Sequence, residues 1–154
     1  MTDPLDGSAP SPGKADAVEA SSAGPAEARV RLRWFLLACA VAAGAVLIDQ
    51  GSKALALAEL SEDDRIPLLG DWLGLQLAFN PGTVMSLGSD STWLLTLIAA
   101  AASIALLIAA TRAPSAGWAV AIGLVWGGAV GNLLDRLFAP PGFGRGHVTD
   151  FLAY

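Results

Sequence analysis

Charged residues stand beside long apolar stretches at three places in the chain, and they are the first candidates for chemistry. Asp49 and Lys53 lie four residues apart in the segment DQGSK, so they share one face of a helix and can form an ion pair. An ionisable side chain at membrane depth costs free energy and by default indicates a functional site. The alternative is a charge pair that only marks the end of a membrane-spanning helix.

A second group of polar residues lies in the segment GNLLDR. Asn132 and Asp135 are three residues apart, so one helix face carries both side chains, and Arg136 follows directly. These residues are candidates for a polar site beside the membrane. The alternative is a charged helix end at which Arg136 extends to the lipid headgroups while its alkyl chain stays in apolar surroundings.

Asp150, in the segment HVTDF, is the carboxylate best suited to proton transfer. Apolar residues flank the Thr149–Asp150 pair, so we expect a partly hydrated carboxylate that can exchange a proton near neutral pH. Hydrolysis of a peptide bond by carboxylates alone requires two that share one proton. One activates water and the other protonates the carbonyl oxygen. Asp150 supplies one of these two at most.

Three further residues have ordinary structural interpretations. Asn80 precedes Pro81 and Gly82, a combination that is typical of turns. The single histidine, His147, is predicted to be a surface residue of a loop and leaves no basis for a zinc site built on histidines. The single cysteine, Cys39, rules out a disulfide within the chain. We therefore expect neither a metal nor another cofactor.

The composition indicates a membrane protein. Of 154 residues, 54% are hydrophobic and only 15% are charged, which is too apolar for an ordinary soluble domain. The net charge is −5 and no basic stripe exists, so a nucleic-acid partner has no support. Residues 1–28 are rich in Ala, Ser, Pro and Gly, and we predict a disordered tail. Residues 29–154 would form one membrane domain.

Three segments are long enough to cross a bilayer as helices. The third of them contains Gly123, Gly127 and Gly131, whose spacing of four residues makes a stripe that another helix can approach closely. The predicted spans are residues 34–60, 93–110 and 117 to about 134, and DQGSK lies within the first of them.

The segment between the first two spans is predicted to contain a small β element. In WLGLQLAF, the apolar residues Leu73, Leu75, Leu77 and Phe79 recur with a period of two, which indicates a strand with one apolar side. The NPG turn follows it. We predict that residues 66–87 form a β element resting on the membrane surface. The predicted fold is an α-helical integral membrane protein with three spans and this β element.

The distribution of charge predicts the orientation. Cytoplasmic segments carry an excess of arginine and lysine, and the arginines that flank the spans are Arg29, Arg31, Arg33 and Arg112. The connection between the first two spans carries six acids against the single Arg65, so we place it outside the cell. The acids of all three candidate segments then lie toward the outer leaflet.

Four segments, in this order and between apolar spans, resemble lipoprotein signal peptidase, the bacterial type II signal peptidase. They are DQGSK, FNPGTVMSL, GNLLDR and GHVTDF, and the resemblance covers about residues 30–154. It implies an aspartic endopeptidase of the bacterial inner membrane with four spans and a small extracytoplasmic β cradle. Such an enzyme removes the signal peptide of a prolipoprotein just before a diacylglyceryl-modified cysteine. Its partners would be that lipid-modified substrate and membrane lipid.

Residue by residue, the resemblance implies that Asp150 is one of two catalytic aspartates. Asp135 would be a structural or binding acid and not the second member of that pair. The positions that would shape the site or hold the substrate are Asp49, Lys53, Asn80, Gly82, Asn132, Asp135 and Arg136.

The chain departs from the family pattern at three places. Thr83, Val84 and Met85 stand where the family usually has small residues and then an aromatic one, and the loop LFAPPGFGRGH is longer than the commonest form. The family also continues into a fourth span with a Phe-Asn-x-Ala-Asp motif, which carries the second catalytic acid, whereas this sequence ends at Tyr154. We therefore expect a C-terminally incomplete domain that is inactive by itself.

Two other functions fit part of the pattern. A non-catalytic membrane protein that binds prolipoproteins or lipids would need no second acid. A small transporter would use the intramembrane acids for ions or protons. The transporter leaves the NPG turn and the strand-like segment without an explanation.

Overall fold

The computed structural model describes residues 24–82 and 92–154. The three helices of this part of the chain are each long and apolar enough to cross a membrane, which confirms the predicted spans. In chain order the elements are α1 (Pro25–Glu59), β1 (Ile66–Leu69), β2 (Leu73–Asn80), α2 (Thr92–Ala110), α3 (Ala116–Phe138) and β3 (Val148–Ala153).

Helix α1 is a continuous helix of 35 residues, and DQGSK lies within it without a break. It begins with Pro25 in its first turn and carries Glu27 there, both of which favour a helix N-terminus. Residues 25–28 are therefore helical, which corrects the predicted boundary of a disordered tail at residue 28. The prediction for residues 1–23 lies outside the described part of the chain.

The glycine stripe of α3 lies against α1. A Cβ atom added at Gly123 would be 2.7 Å from the carbonyl oxygen of Ala38, and one at Gly127 would be 2.7 Å from that of Ala42. Only glycine therefore fits at these contacts, and the two backbones touch. Helices in lipid gain little from hydrophobic burial and associate instead through such close packing of small residues.

Small residues lie between the helices and large apolar residues lie outside. Ala38, Ala110, Ala113 and Ala119 form the buried cluster at one end of the bundle. Leu47 and Ile48, in contrast, are each 74% exposed. This inverted arrangement suits a protein whose surrounding solvent is hydrocarbon.

The strands form one antiparallel sheet in the order β1-β2-β3. This confirms the predicted β element over residues 66–80, while residues 83–87 lie outside the described part. Leu73, Leu75 and Leu77 are at least partly buried, but Phe79 is exposed. The register between β2 and β3 shifts between Leu75 and Ala78, so the simple alternation ends there.

Candidate active site

Lys53 of α1 contacts α3 through one ion pair and one hydrogen bond, and it forms a second ion pair within α1. Its Nζ atom lies 2.8 Å from Oδ2 of Asp49 and 2.8 Å from Oδ2 of Asp135, and it donates to Oδ1 of Asn132 at 3.2 Å. The three hydrogens of the ammonium therefore have three acceptors. Lys53 is only 6% exposed. The Asp49–Lys53 pair thus belongs to a contact between helices and is more than the end of a span.

Gln50 is a member of this cluster that the sequence analysis missed. Its Nε2 atom lies 3.0 Å from Oδ2 of Asp49, 3.1 Å from Oδ1 of Asp135 and 3.2 Å from the carbonyl oxygen of Gly131. The available signal was a polar side chain directly beside Asp49 within an apolar helix. We call the residues Asp49, Gln50, Lys53, Asn132 and Asp135 the Lys53 cluster.

Gly131 leaves the space that this cluster occupies. A Cβ atom added there would collide with the carboxylate of Asp49. At Gly131 the absence of a side chain therefore leaves room for the carboxylate of Asp49 between the helices. At Gly123 and Gly127 it leaves room for the backbone of α1.

Asp135 connects the cluster to the sheet. Its Oδ1 accepts from Gln50, and its Oδ2 faces Lys53 and accepts from the backbone N–H of Thr149 at 3.2 Å. Both oxygens are thus occupied, and the residue is only 8% exposed. Asp135 has the geometry of a positioning acid that holds β3 against the helices.

Asp150 directly follows Thr149 on β3 and points the other way. Thr149 is buried and Asp150 is exposed, since successive strand residues face opposite sides of a sheet. The carboxylate is therefore more exposed than its apolar neighbours indicate. It makes no hydrogen bond with the described residues, so its oxygens are open to water or to a ligand.

Arg136 turns toward the protein. Its side chain is half-buried and interacts electrostatically with Asp135 and Asp150. Its Nη1 atom is buried and has no hydrogen-bond partner among the described residues. The alternative interpretation, in which this arginine extends to the lipid headgroups, does not fit that burial. A buried guanidinium donor without a partner costs free energy, so an acceptor brought there would be held strongly.

Asn80 and Gly82 form the turn that follows β2. Oδ1 of Asn80 accepts from the backbone N–H of Gly82 at 2.7 Å, and Gly82 has a φ of +97°, a conformation that favours glycine. Asn80 pairs with Val148 of β3, two residues before Asp150. The sheet therefore brings Asn80 near the strand of Asp150, but not into the Lys53 cluster.

Two acids of the site, Asp49 and Asp135, are in ion pairs with Lys53. Within residues 24–82 and 92–154, no group of three His, Cys, Asp or Glu residues is arranged to hold a metal ion. Asp150 is an exposed carboxylate with the guanidinium of Arg136 nearby.

Comparison with known proteins gives consistent matches. A family model described as signal peptidase II matches residues 41–154. A lipoprotein signal peptidase of Leifsonia xyli subsp. xyli is 41% identical over 144 residues, which cover 94% of this chain and 65% of that protein. One of Bifidobacterium longum is 42% identical over 128 residues, covering 83% and 70%. The chain thus spans about two thirds of the length of these relatives.

Two solved structures share the fold. Both are described as bacterial membrane enzymes, and both are 24% identical to this chain over 75% of its length. The first has a TM-score of 0.60 and is covered to 72%, and the second has a TM-score of 0.53 and is covered to 68%. These matches support the arrangement of helices and sheet described above.

Proposed function

Because the chain belongs to the signal peptidase II family, we propose that it is the catalytic part of an aspartic endopeptidase for prolipoproteins. The enzyme would remove signal peptides from diacylglyceryl-modified precursors. The observation that carries the proposal is the hydrogen bond from the N–H of Thr149 to Asp135. It fixes the strand of Asp150 against a buried charge cluster, as a site needs when it must hold a reacting carboxylate in place.

Asp150 is the proposed catalytic residue. Its carboxylate is exposed and free of hydrogen bonds with the described residues, so it can take a proton from an attacking water. The water oxygen would then add to the scissile carbonyl carbon while a second carboxylic acid gives its proton to the carbonyl oxygen.

Neither Asp49 nor Asp135 is available as that second acid. Lys53 neutralises both, and Gln50 donates to both. These contacts hold both carboxylates between the helices, away from the exposed carboxylate of Asp150. We propose that neither of them completes the pair with Asp150 and that a further carboxylate, which the family carries on a fourth span, must join the site.

Three polar side chains are proposed to bind the substrate or to position Asp150. Nη1 of Arg136 is a buried donor with no partner among the described residues, which suits a peptide carbonyl. The side-chain oxygen of Asn132 accepts from Lys53 and the residue is exposed, so we propose that its amide N–H groups donate to the substrate. Asn80, at the end of β2, is the third. The lipid-modified substrate would approach from the membrane.

The proposed location is the bacterial inner membrane, with the N-terminus in the cytoplasm and the active site on the extracytoplasmic side. The arginines at the start of α1 and Arg112 after α2 support this orientation, because such residues favour the cytoplasmic side. In the same proposal, residues 29–154 are the membrane peptidase domain and residues 1–28 are its tail, with α1 beginning inside that tail at Pro25.

The test follows a lipid-modified precursor on a gel in a bacterial strain depleted of its own lipoprotein signal peptidase. Three chains are compared: residues 1–154, the same chain joined after Tyr154 to a homologous fourth span with Phe-Asn-x-Ala-Asp, and that longer chain with Asp150→Asn. We expect processing only by the longer chain with Asp150 intact. Processing by residues 1–154 would refute the need for a further carboxylate. Failure of both unmodified chains, with all three present in the membrane, would refute the peptidase proposal.

A further inference from the structure

A cleft of about 650 Å³ opens at the end of the helical bundle opposite the Lys53 cluster. Its volume lies within the range of about 300–1,000 Å³ that is usual for small-molecule sites. The start of α1 forms one wall, and the turn between α2 and α3 forms the other. Its lining includes Glu27, Val30, Arg31 and Trp34 on α1, and Arg112 and Pro114 in the turn. We call it the arginine cleft.

The arginine cleft is basic and its arginines lack acidic partners. Arg31 and Arg112 reach it from different elements. The two salt bridges found among the described residues both involve Lys53, so no described carboxylate lies within 4.0 Å of either guanidinium. Glu27 is the single acid in the lining, which leaves a net charge of +1 there. Two guanidinium groups without ion partners favour an anion, and their planar forks match the oxygens of a phosphate.

The same cleft has an apolar side. Trp34 is half-buried and packs on the alanine cluster that includes Ala113, and Val30 lies one turn before it. Trp34 is also the first residue of the uncharged run of α1. The cleft therefore lies at the boundary between the charged helix end and the apolar span, the level at which tryptophan meets lipid headgroups. An anion without an apolar portion would leave this wall unused.

We propose that the arginine cleft binds the phosphodiester headgroup of an anionic diacyl phospholipid. Arg31 and Arg112 donate to the phosphate oxygens, and Trp34 and Val30 contact the glycerol and the first methylene groups. Basic pockets between membrane helices bind acidic headgroups for these reasons. The site is separate from the Lys53 cluster and does not depend on the peptidase activity.

A simpler explanation is that these arginines only set the orientation of the helices in the membrane. That effect requires positive charge near the span but no particular geometry. Arg29 provides the matched control, because it lies on the same helix end and does not line the cleft. If charge alone matters, replacing Arg29 should weaken lipid binding as much as replacing Arg31. If the cleft binds the lipid, only the replacement of Arg31 should weaken it.

The experiment titrates the purified chain of residues 1–154 in neutral detergent with dioleoyl phosphatidylglycerol or dioleoyl phosphatidylcholine and counts bound lipid by native mass spectrometry. We expect phosphatidylglycerol to bind at least about tenfold more tightly, a preference that the variant Arg31→Gln/Arg112→Gln loses. Arg31→Gln alone should lose part of the preference, whereas Arg29→Gln, which removes the same charge, should stay within about twofold of the unchanged protein. Arg31→Lys/Arg112→Lys should be intermediate, because lysine keeps the charge but not the fork. Both cleft arginines are exposed, so helical circular dichroism should not change.

Two results would overturn the proposal. An equal loss in Arg29→Gln and Arg31→Gln would show that diffuse charge attracts the lipid. Displacement of phosphatidylglycerol by an equal concentration of inorganic phosphate would show a site for a soluble anion and not for a lipid.

Discussion

The Nζ atom of Lys53 lies 2.8 Å from Oδ2 of Asp135, and this oxygen also accepts the backbone N–H of Thr149. A single ammonium on α1 therefore neutralises the acid on α3 that holds β3 in place. Displacement of α1 relative to α3 would disturb the strand that carries Asp150. Stability and the geometry of the candidate active site are thus linked through one buried residue.

Removing the ammonium should destabilise the protein strongly. Lys53→Met leaves Asp49 and Asp135 side by side without a counter-charge, and breaking a buried ion pair in this way costs about 3–5 kcal/mol. The measurement is unfolding of the purified protein in mixed micelles, followed by circular dichroism. Asp49→Asn is the control, since it keeps the pair between Lys53 and Asp135 and should cost less. Equal stability of Lys53→Met and the unchanged protein would contradict the proposed linkage.

The contact between α1 and α3 should tolerate no side chain on the glycine stripe. Gly127→Ala brings a Cβ atom within 2.7 Å of the carbonyl oxygen of Ala42, so the helices must separate, at a cost of about 1–3 kcal/mol. Its neighbour is the control: a Cβ atom at Gly128 meets nothing within 4 Å, and Gly128→Ala should be neutral or slightly stabilising. The unfolding measurement in mixed micelles compares the stability of the two variants. A smaller loss for Gly127→Ala than for Gly128→Ala would refute the close packing.

Gln50 should matter for stability and for activity. Gln50→Leu removes donors from Asp49, Asp135 and the carbonyl oxygen of Gly131, and the lost hydrogen bonds should cost about 1–3 kcal/mol. In the longer chain described above, processing should fall without being abolished, because Lys53 still neutralises both acids. Ser52→Ala is the control, because it loses only a bond within α1 to the carbonyl oxygen of Asp49. Full activity of Gln50→Leu would show that Gln50 does not help to position the candidate active site.

Asp150→Asn should abolish processing by the longer chain while the protein stays in the membrane. The amide keeps the size of the side chain but cannot exchange a proton in this reaction. Asp135→Asn should lower processing less completely, through loss of site geometry. Asp71→Asn, an exposed acid in the hairpin, should have no effect. Near-normal processing by Asp150→Asn would show that another group takes the proton from the attacking water.

The orientation predicts opposite results for two reporter fusions. Alkaline phosphatase, which is active only outside the cytoplasm, should be inactive when fused after Arg112 and active when fused after Tyr154. Arginine favours the cytoplasmic side, and Arg112 stands at the first fusion point. The connection after α1, in contrast, carries mostly acids, which places it and Tyr154 outside. The reverse pattern would move the candidate active site to the cytoplasmic face.

Local rules in the sequence were sufficient for the spans, for β2 and for the Asp49–Lys53 pair. A span is identified by its own length and apolar content, and residues four apart on a helix are neighbours whatever lies around them. The stripe of Gly123, Gly127 and Gly131 likewise predicted a close helix contact. It did not identify α1 as the partner, because every helix of the bundle is apolar enough to fill that role.

Only the tertiary structure decided the environment of each charged group. Whether Lys53 meets Asp135, and whether Gln50 joins them, depends on how far α1 is rotated and shifted against α3. Strand β3 forms by pairing with β2, which lies far from it in the sequence, so no local pattern predicted it. Its register buries Thr149 and exposes Asp150, and the burial of Arg136 follows from the same packing. Residue types and spacing identified the candidate acids, but contacts between distant segments determined that Asp49 and Asp135 are in ion pairs and that Asp150 is exposed.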